Sequence, residues 1–272
     1  MKNVKQLQLT AQKLRLDIIN MIHNAGSGHS GGSLSCAEIL TVLYDGIMNI
    51  DPKNPCWEDR DRFILSKGHA APALYATLAR KGYYDVSELA TLRQIDSCLQ
   101  GHPCMFKLPG VEMSTGSLGM GISVGVGIAL AAKIKRQSFK TYVLCGDGEM
   151  QEGQNWEAMM SASKWKLNNM IIIIDHNHVQ LDGTEYEVMP LGSLYDKVKA
   201  FGLKPIECNG HDAGSLLSAF EQAEKAETAS VIIAETVKGK GVSFMEGKSI
   251  WHGKKIETAD YEIAIKEIKE AI

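Results

Sequence analysis

Apolar runs that alternate with helical patterns are the feature that most constrains the fold of this chain. Three of them, at 141–145, 170–175 and 231–236, are typical of buried strands, and weaker ones lie at 63–66 and 205–208. Each ends in polar residues or glycine, as strands do in a parallel sheet that is covered on both faces. The sequence therefore predicts an α/β fold with a doubly wound, mostly parallel sheet and helices on both faces. Ligands of such sheets bind beyond the carboxyl ends of the strands.

Helical periodicity fills the intervals between the predicted strands. The first helix is indicated by apolar residues that fall three or four positions apart, namely Leu7, Ala11, Leu14, Ile18 and Ile22. A loop rich in glycine and serine is predicted at 25–32. Further helices are predicted at 36–47, 119–135, 155–166, 194–200, 213–226 and 259–272.

Composition restricts both the partners and the compartment. The net charge of −3 leaves no basic excess to neutralise a phosphate backbone, which argues against nucleic acid as the main partner. Six cysteines are scattered without a CxxC pair, as expected for reduced thiols in the cytoplasm. No signal-peptide core follows Met1, and the longest apolar run, Met170 to Ile174, is too short to cross a bilayer. We expect a soluble cytoplasmic protein that makes no membrane contact.

Gly146-Asp147-Gly148 directly follows the strand predicted at 141–145. Glycines at this place let the backbone approach a diphosphate, and the amides at the start of the next helix favour its negative charge. A bound diphosphate needs a divalent cation, and Mg²⁺ combines protein oxygens with phosphate oxygens. Asp147 supplies a carboxylate for such an ion.

A second group of oxygens follows the next strand, which runs into the sequence DHNHV. The side-chain amide of Asn177 and the backbone carbonyl of Val179 can each supply one ligand. Thirty residues separate Asp147 from Asn177, which is enough for a helical crossover between adjacent parallel strands. The two segments together predict a diphosphate and metal site.

These segments carry a resemblance to a known family. The Gly-Asp-Gly pattern with Asn177 resembles the thiamine-diphosphate motif, and "GDGEMQEGQNWEA" and "DHNHVQLDG" resemble transketolase. The resemblance implies thiamine diphosphate with Mg²⁺, for which Ca²⁺ or Mn²⁺ can substitute. It implies Asp147, Asn177 and the Val179 carbonyl as metal ligands, and Asn177 and the Gly148 amide as cofactor contacts. Family members usually have glycine and isoleucine where His178 and Val179 stand.

Four histidines lie in glycine-containing loops: His29 in SGHSGGSLS, His69 in LSKGHA, His102 in QGHPCM and His252 in IWHGK. Imidazole can donate hydrogen bonds to hydroxyl and diphosphate oxygens and can move protons near neutral pH. Their surroundings are similar to those of the active-site histidines of transketolase. The resemblance implies that His29, His102 and His252 contact the substrate, and that His69 and His252 contact the diphosphate.

The remaining resemblances concern one loop and one helix. The segment STGSLGMG is similar to the family's cofactor loop and implies that Gly116, Ser117 and Leu118 bind the cofactor. Glu152 and Glu157 either form a solvated helix start, which the helix dipole favours, or lie near the dimer interface as the family implies. The other histidines are assigned no chemistry: His23, His176, His178 and His211.

Transketolase chains are more than twice as long as this one. The domain that follows their diphosphate-binding domain binds the aminopyrimidine ring of the cofactor. The sequence predicts a single diphosphate-type domain over 1–272, with the pyrimidine-binding and C-terminal domains on a separate partner chain. We expect a heterotetramer with two copies of each chain. A shortened form of a longer protein is the alternative.

The predicted function is transfer of a two-carbon ketol unit from a ketose phosphate to an aldose phosphate. The sugar is left open between the pentose phosphate pathway and unusual or sulfonated sugars. A second enzyme hypothesis keeps the cofactor but changes the reaction, as in deoxyxylulose-phosphate synthase or a 2-oxo-acid dehydrogenase first component. The third hypothesis is a non-catalytic scaffold of the same fold.

Overall fold

The sheet of the computed structural model confirms the predicted α/β class. The structure describes residues 3–272, so residues 1 and 2 of the predicted domain lie outside the described residues. Within the described range the sheet has five parallel strands in the order β1-β2-β3-β5-β4. They are β1 Arg62–Leu65, β2 Thr141–Gly146, β3 Met170–His176, β4 Lys204–Asn209 and β5 Ser230–Glu235.

Helices connect the strands and cover them. Over 3–272 the α-helices are α1 Val4–Ala25, α2 Ser30–Ser35, α3 Ala37–Val42, α4 Ala71–Lys81, α5 Gly121–Lys135, α6 Gly153–Lys164, α7 Glu185–Val188, α8 Leu194–Ala200, α9 Ala213–Glu224 and α10 Thr258–Glu270. A π-helical turn, Leu43–Ile47, follows α3, and 3₁₀ turns lie at Gly68–Ala70, Val86–Thr91, Gly148–Gln151 and Ser249–His252. None of the helices described is both long enough and apolar enough to cross a membrane.

Alternate strand residues enter two different cores, which is why the central strands β2, β3 and β5 are mostly apolar. Tyr142 and Leu144 pack into the core formed with α1, α3, α4, α9 and α10. Val143 and Cys145 pack into the core formed with α5, α6 and α8. Burial of both faces is what a doubly wound sheet requires.

The segment before α3 differs from the prediction. The loop expected at 25–32 ends early because Ser30–Ser35 forms α2, whose six residues are all buried. A Cβ on Gly31 would lie 2.9 Å from both Lys238 Cγ and the Trp251 carbonyl oxygen, so the glycine allows this close packing. The helix expected at 36–47 is correspondingly broken into α3 and the π-helical turn.

Candidate active site

A cavity of about 260 Å³ opens at the carboxyl ends of β2 and β3. Asp147 follows β2 and Asn177 follows β3, because adjacent parallel strands end at the same edge of the sheet. Both residues line the cavity, together with other predicted site residues, namely His69, Leu118, Gly148, Val179 and His252. The predicted diphosphate and metal residues are therefore brought together.

Asp147 is a buried carboxylate, 2% exposed. Its Oδ1 accepts a hydrogen bond from the Gly148 amide at 2.7 Å, and its Oδ2 accepts one from the His178 amide. Burial and the neighbouring charge of Asp175 raise the pKa of Asp147 to about 6. A divalent cation would stabilise the charged form of this carboxyl group.

The other two predicted metal ligands lie on the turn after β3. Asn177 Oδ1 accepts a hydrogen bond from the Val179 amide at 3.2 Å. The Val179 carbonyl oxygen accepts one from Lys238 Nζ at 2.9 Å. This ammonium also lies 3.1 Å from His252 Nδ1. Burial and the charge of Lys67 lower the pKa of Lys238 to about 8, although Asp147 opposes the shift.

Gly148 lies where a side chain would not fit. A Cβ there would approach Gln180 Cβ to 2.9 Å, a distance that real Cβ atoms do not tolerate. The glycine allows this close approach of Gln180, and Gly148 itself lines the cavity. Gly32 is similar, since a Cβ on it would lie 3.3 Å from His69 Nε2.

The four loop histidines form one cluster around His29. The centroid of the His29 ring lies 5.4 Å from that of His69, 6.3 Å from that of His102 and 5.2 Å from that of His252. The rings of His69 and His252 are 4.9 Å apart. Residues from four separate loops, distant in sequence, are thus brought together, and two of them, His69 and His252, line the cavity.

The cluster is uncharged at neutral pH. Burial, followed by the charges of Arg93, His102 and Lys238, lowers the pKa of His29 to about 4. Burial and Lys238 lower the pKa of His252 to about 3. Burial also lowers the pKa of His69 and His102. Neutral imidazoles can both donate and accept hydrogen bonds, which suits contacts with sugar hydroxyls.

The predicted cofactor loop extends from His102 to the cavity. Gly116 has φ 144°, and a Cβ on it would lie 3.0 Å from His102 Cδ2. Ser117 is exposed, and Leu118, 38% exposed, lines the cavity. The loop is held by the buried Glu149, whose Oε1 accepts a hydrogen bond from the Gly119 amide at 2.9 Å.

Sequence reasoning missed a buried ion pair beneath the cavity. Lys67 and Asp175 form a salt bridge with side chains 1% and 0% exposed. Lys67 Nζ also donates to the Gly32 carbonyl oxygen at 2.8 Å, and Ser35 Oγ donates to Asp175 Oδ2 at 2.6 Å. Burial would raise the pKa of Asp175, but the charge of Lys67 keeps this pKa below its usual value. The sequence contained one signal for Lys67, because Ser66-Lys67-Gly68-His69 places a lysine at the end of a predicted strand.

The remaining histidines and glutamates are those to which sequence reasoning assigned no role or an open one. His23 bonds to the Ile256 carbonyl oxygen, and His211 lies 3.0 Å from a carboxylate oxygen of Glu38, so both make fold contacts. His176 and His178 do not line the cavity; His176 ends β3, and His178 lies on the turn that carries Asn177. Glu152 and Glu157 are both exposed, and Glu152 lies at the cavity rim.

The site fits a metal-bound diphosphate on three observations. Asp147 is a buried carboxylate with a raised pKa, and a lysine ammonium already lies at the Val179 carbonyl where a cation would bind. Gly148 brings a stretch of backbone without a side chain to the cavity wall. Carboxylate, amide and backbone carbonyl oxygens are the ligands that Mg²⁺ prefers.

Comparison with known proteins agrees with this geometry. A profile of the family described as "Transketolase, thiamine diphosphate binding domain" matches residues 6–271. One of the subunits of the apulose-4-phosphate transketolase of Phocaeicola vulgatus is 43% identical over 270 residues, which are 99% of this chain and 96% of that protein. The 6-deoxy-6-sulfo-D-fructose transketolase subunit SqwG of a Clostridium species is 43% identical over 265 residues, 97% of this chain and 96% of that protein.

Solved structures give the same result for the fold. The transketolase of Campylobacter jejuni superposes with a TM-score of 0.93 at 36% identity, covering 98% of this chain. This chain spans 43% of that transketolase, whereas it spans nearly all of the two relatives named as subunits. The resemblance carried by Gly146-Asp147-Gly148 is confirmed, and the chain belongs to the transketolase family as a member of its thiamine-diphosphate-binding domain.

Proposed function

We propose that this chain is the diphosphate-binding subunit of a two-chain transketolase that transfers a ketol unit between sugars. The supporting observation is the position of four neutral imidazoles beside a cavity that already holds Asp147 and Asn177. A protein that only anchored thiamine diphosphate would need Asp147 and Asn177 but not the four imidazoles. A cluster of hydrogen-bonding rings next to it matches a polyhydroxylated substrate.

The cofactor anchor comes first. Asp147, the Asn177 side-chain oxygen and the Val179 carbonyl hold Mg²⁺, with Ca²⁺ or Mn²⁺ able to substitute. The Gly148 amide and Asn177 contact the diphosphate directly, and His69 and His252 donate hydrogen bonds to it. The loop of Gly116, Ser117 and Leu118 lies against the cofactor. Thiamine diphosphate, when bound, would supply carbanion stabilisation for cleavage of the carbon–carbon bond beside a ketose carbonyl.

The histidines orient the sugar. His29, His102 and His252 hold the donor carbonyl and hydroxyl groups, and the low pKa values of His29 and His252 keep these rings neutral, so that they can accept as well as donate hydrogen bonds. Neutral rings do not repel the cationic thiazolium of the cofactor. The donor is a ketose that carries an anionic end, because the two relatives named as subunits are named for a sugar phosphate and a sulfonated sugar.

The rest of the enzyme is proposed to lie on a partner chain. The chain spans 96% of each of the two relatives named as subunits, and 43% of a transketolase that is one chain. The partner would supply the pyrimidine-binding and C-terminal domains, in a cytoplasmic assembly with two copies of each chain. Residues 1–272 are then one diphosphate-type domain, and Glu152, just before α6, and Glu157, on α6, face the partner.

The test is reconstitution with the protein encoded by the neighbouring gene. Calorimetric titration of the pair with thiamine diphosphate and Mg²⁺ should show binding, and a panel of ketose phosphates and sulfonated ketoses should reveal ketol transfer. A pair that binds the cofactor and turns over only 2-oxo acids would favour the second enzyme hypothesis. A pair that binds no cofactor would leave the scaffold.

His252→Ala separates the substrate role from a structural one. It should weaken cofactor binding and raise the KM of the donor, since His252 is proposed to contact both. His23→Gln is the control, because that ring bonds to Ile256 and stacks on Tyr261 away from the cavity. Equal kinetics for wild type and His252→Ala in the reconstituted pair would contradict the assignment.

A further inference from the structure

A second cluster of metal-binding side chains lies beside the cofactor cavity. His176 and Glu235 are register partners at the carboxyl ends of the adjacent strands β3 and β5. His178 follows two residues after His176 and reaches the same carboxylate. The ligand atoms of these three side chains all lie within 4.8 Å of one another.

The three groups converge on one point. His176 Nδ1 lies 2.5 Å from Glu235 Oε1, and His178 Nε2 lies 2.9 Å from Glu235 Oε2. A tetrahedral Zn²⁺ with bonds of about 2.0–2.1 Å holds its ligand atoms roughly 3.3 Å apart. A small outward rotation of the exposed His178 and Glu235, which are 54% and 50% exposed, provides that space. We propose that His176, His178 and Glu235 form a binding site for Zn²⁺ or a similar transition-metal ion.

The chemistry of the ligands selects this class of metal. Two imidazoles and one carboxylate suit zinc, cobalt, nickel and copper, whereas Mg²⁺ prefers oxygen ligands alone. The oxygens of Asp147, Asn177 and Val179 therefore form a different type of site. Three protein ligands leave the fourth coordination position of the ion free for a water molecule, as in catalytic zinc sites.

His176 already has the outer contact that metal-bound histidines make. Its Nε2 lies 3.1 Å from Glu185 Oε2, on the side of the ring away from Glu235. The other oxygen of Glu185 accepts a hydrogen bond from the Leu191 amide at 3.1 Å, which holds the carboxylate in place. A carboxylate on the second nitrogen fixes the tautomer and the ring orientation of a ligating histidine.

His178 is held in the required position by an unusual backbone. Its φ is 63°, in the left-handed region that side-chain-bearing residues seldom adopt. Its amide donates to Asp147 Oδ2, so the turn that presents the imidazole also touches the cofactor anchor. An ion bound here would tie the end of β5 to this turn.

The experiment is a Co²⁺ titration of the full chain without an affinity tag, after chelator treatment and in excess Mg²⁺ that occupies the oxygen site. We expect visible d–d absorption that saturates at one equivalent and disappears when Zn²⁺ is added. Zn²⁺ at about 100 times its dissociation constant should raise the Tm by roughly 5 °C or more. A titration without these bands would overturn the proposal.

Matched variants locate the ion. His178→Gln and Glu235→Gln should each abolish the bands, and Glu185→Gln should weaken Co²⁺ binding by roughly 10- to 100-fold through the lost outer contact. His29→Gln tests the other histidine cluster, and Glu207→Gln changes an exposed acid on β4. Both should bind Co²⁺ as the wild type does. Bands that survive in His178→Gln and Glu235→Gln, or that vanish in His29→Gln, would place the ion elsewhere and refute the site.

Discussion

The ammonium of Lys238 donates a hydrogen bond to the carbonyl oxygen of Val179 at 2.9 Å. That carbonyl is the backbone oxygen proposed to hold the cofactor's metal ion. A divalent cation and an ammonium beside the same carbonyl oxygen repel each other, so we expect metal binding to displace Lys238 from Val179. The displaced ammonium remains within the cavity, where a diphosphate can accept its hydrogen bond.

Lys238→Met should therefore separate two affinities that usually change together. Removal of a competing positive charge should tighten Mg²⁺ binding in the absence of cofactor by roughly tenfold, or about 1.4 kcal/mol. Loss of a charged hydrogen bond should weaken thiamine diphosphate binding by roughly tenfold or more. Calorimetry of Mg²⁺ alone and of the Mg²⁺–cofactor pair checks both. Lys248→Met, at an exposed position, is the control.

Asp147→Asn should weaken metal-dependent cofactor binding without harming the fold. An amide offers one neutral oxygen in place of a carboxylate, so the affinity for Mg²⁺ with cofactor should fall by roughly 100-fold, or about 2.7 kcal/mol. The free energy of unfolding at pH 7 should not fall by a comparable amount, because burial and Asp175 disfavour the native carboxylate. Asp59→Asn, at an exposed position, should change neither quantity. An Asp147→Asn protein with normal cofactor affinity would show that the metal binds elsewhere.

Gly148→Ala tests the close approach of two chain segments. The new Cβ would lie 2.9 Å from Gln180 Cβ, so one segment must move and the amide that faces the diphosphate moves with it. Cofactor affinity should fall roughly tenfold, about 1.4 kcal/mol, and Gln180→Gly in the same chain should restore most of it.

The double-variant cycle has a control in the same segment. Gly153→Ala places its Cβ in open space at the start of α6 and should leave binding intact. If Gln180→Gly fails to rescue Gly148→Ala, steric pressure from Gln180 is not the cause of the loss.

The parts of the fold predicted from sequence are those that depend on local patterns. The apolar runs predicted the strands, because burial on both faces removes most polar residues from the central ones, β2, β3 and β5. Gly146-Asp147-Gly148 was informative because the strand that positions Asp147 directly precedes it in the sequence. The residue-by-residue roles of the four histidines rest on resemblance and remain predictions, although the structure brings the rings together.

Contacts between distant residues could not be predicted in this way. Lys67 and Asp175 are 108 residues apart, and nothing in either local pattern indicates the other. Glu235 gave no signal as a partner of His176, since the pairing depends on the register of β3 and β5. Lys238 was missed because a lysine beside a glycine in a turn is normally solvated, whereas the side chain of Lys238 is 2% exposed.

A buried ion pair far from the cavity provides the final prediction, which concerns stability. Arg15 of α1 and Glu38 of α3 form a two-fold hydrogen-bonded pair, each N–O distance 2.6 Å, with side chains 0% and 3% exposed. Burial alone would raise the pKa of Glu38, but the charge of Arg15 and hydrogen bonds from His211 and Arg15 hold it below the usual value. Glu38→Gln leaves the Arg15 charge buried without its partner and should lower the free energy of unfolding at pH 7 by about 3–5 kcal/mol.

The pH dependence of that loss follows from the direction of the shift. A carboxyl group with a lowered pKa in the folded state stabilises the fold above its unfolded pKa of about 4.3. The contribution disappears as the pH falls through the folded pKa, where Glu38 becomes protonated. The gap between wild type and Glu38→Gln should therefore be constant from pH 7 to about pH 5 and should shrink below about pH 4. Urea unfolding at each pH measures it, with Glu221→Gln as the exposed control. A gap that stays constant down to acidic pH would mean that the carboxylate charge of Glu38 contributes nothing to the stability of the α1–α3 packing.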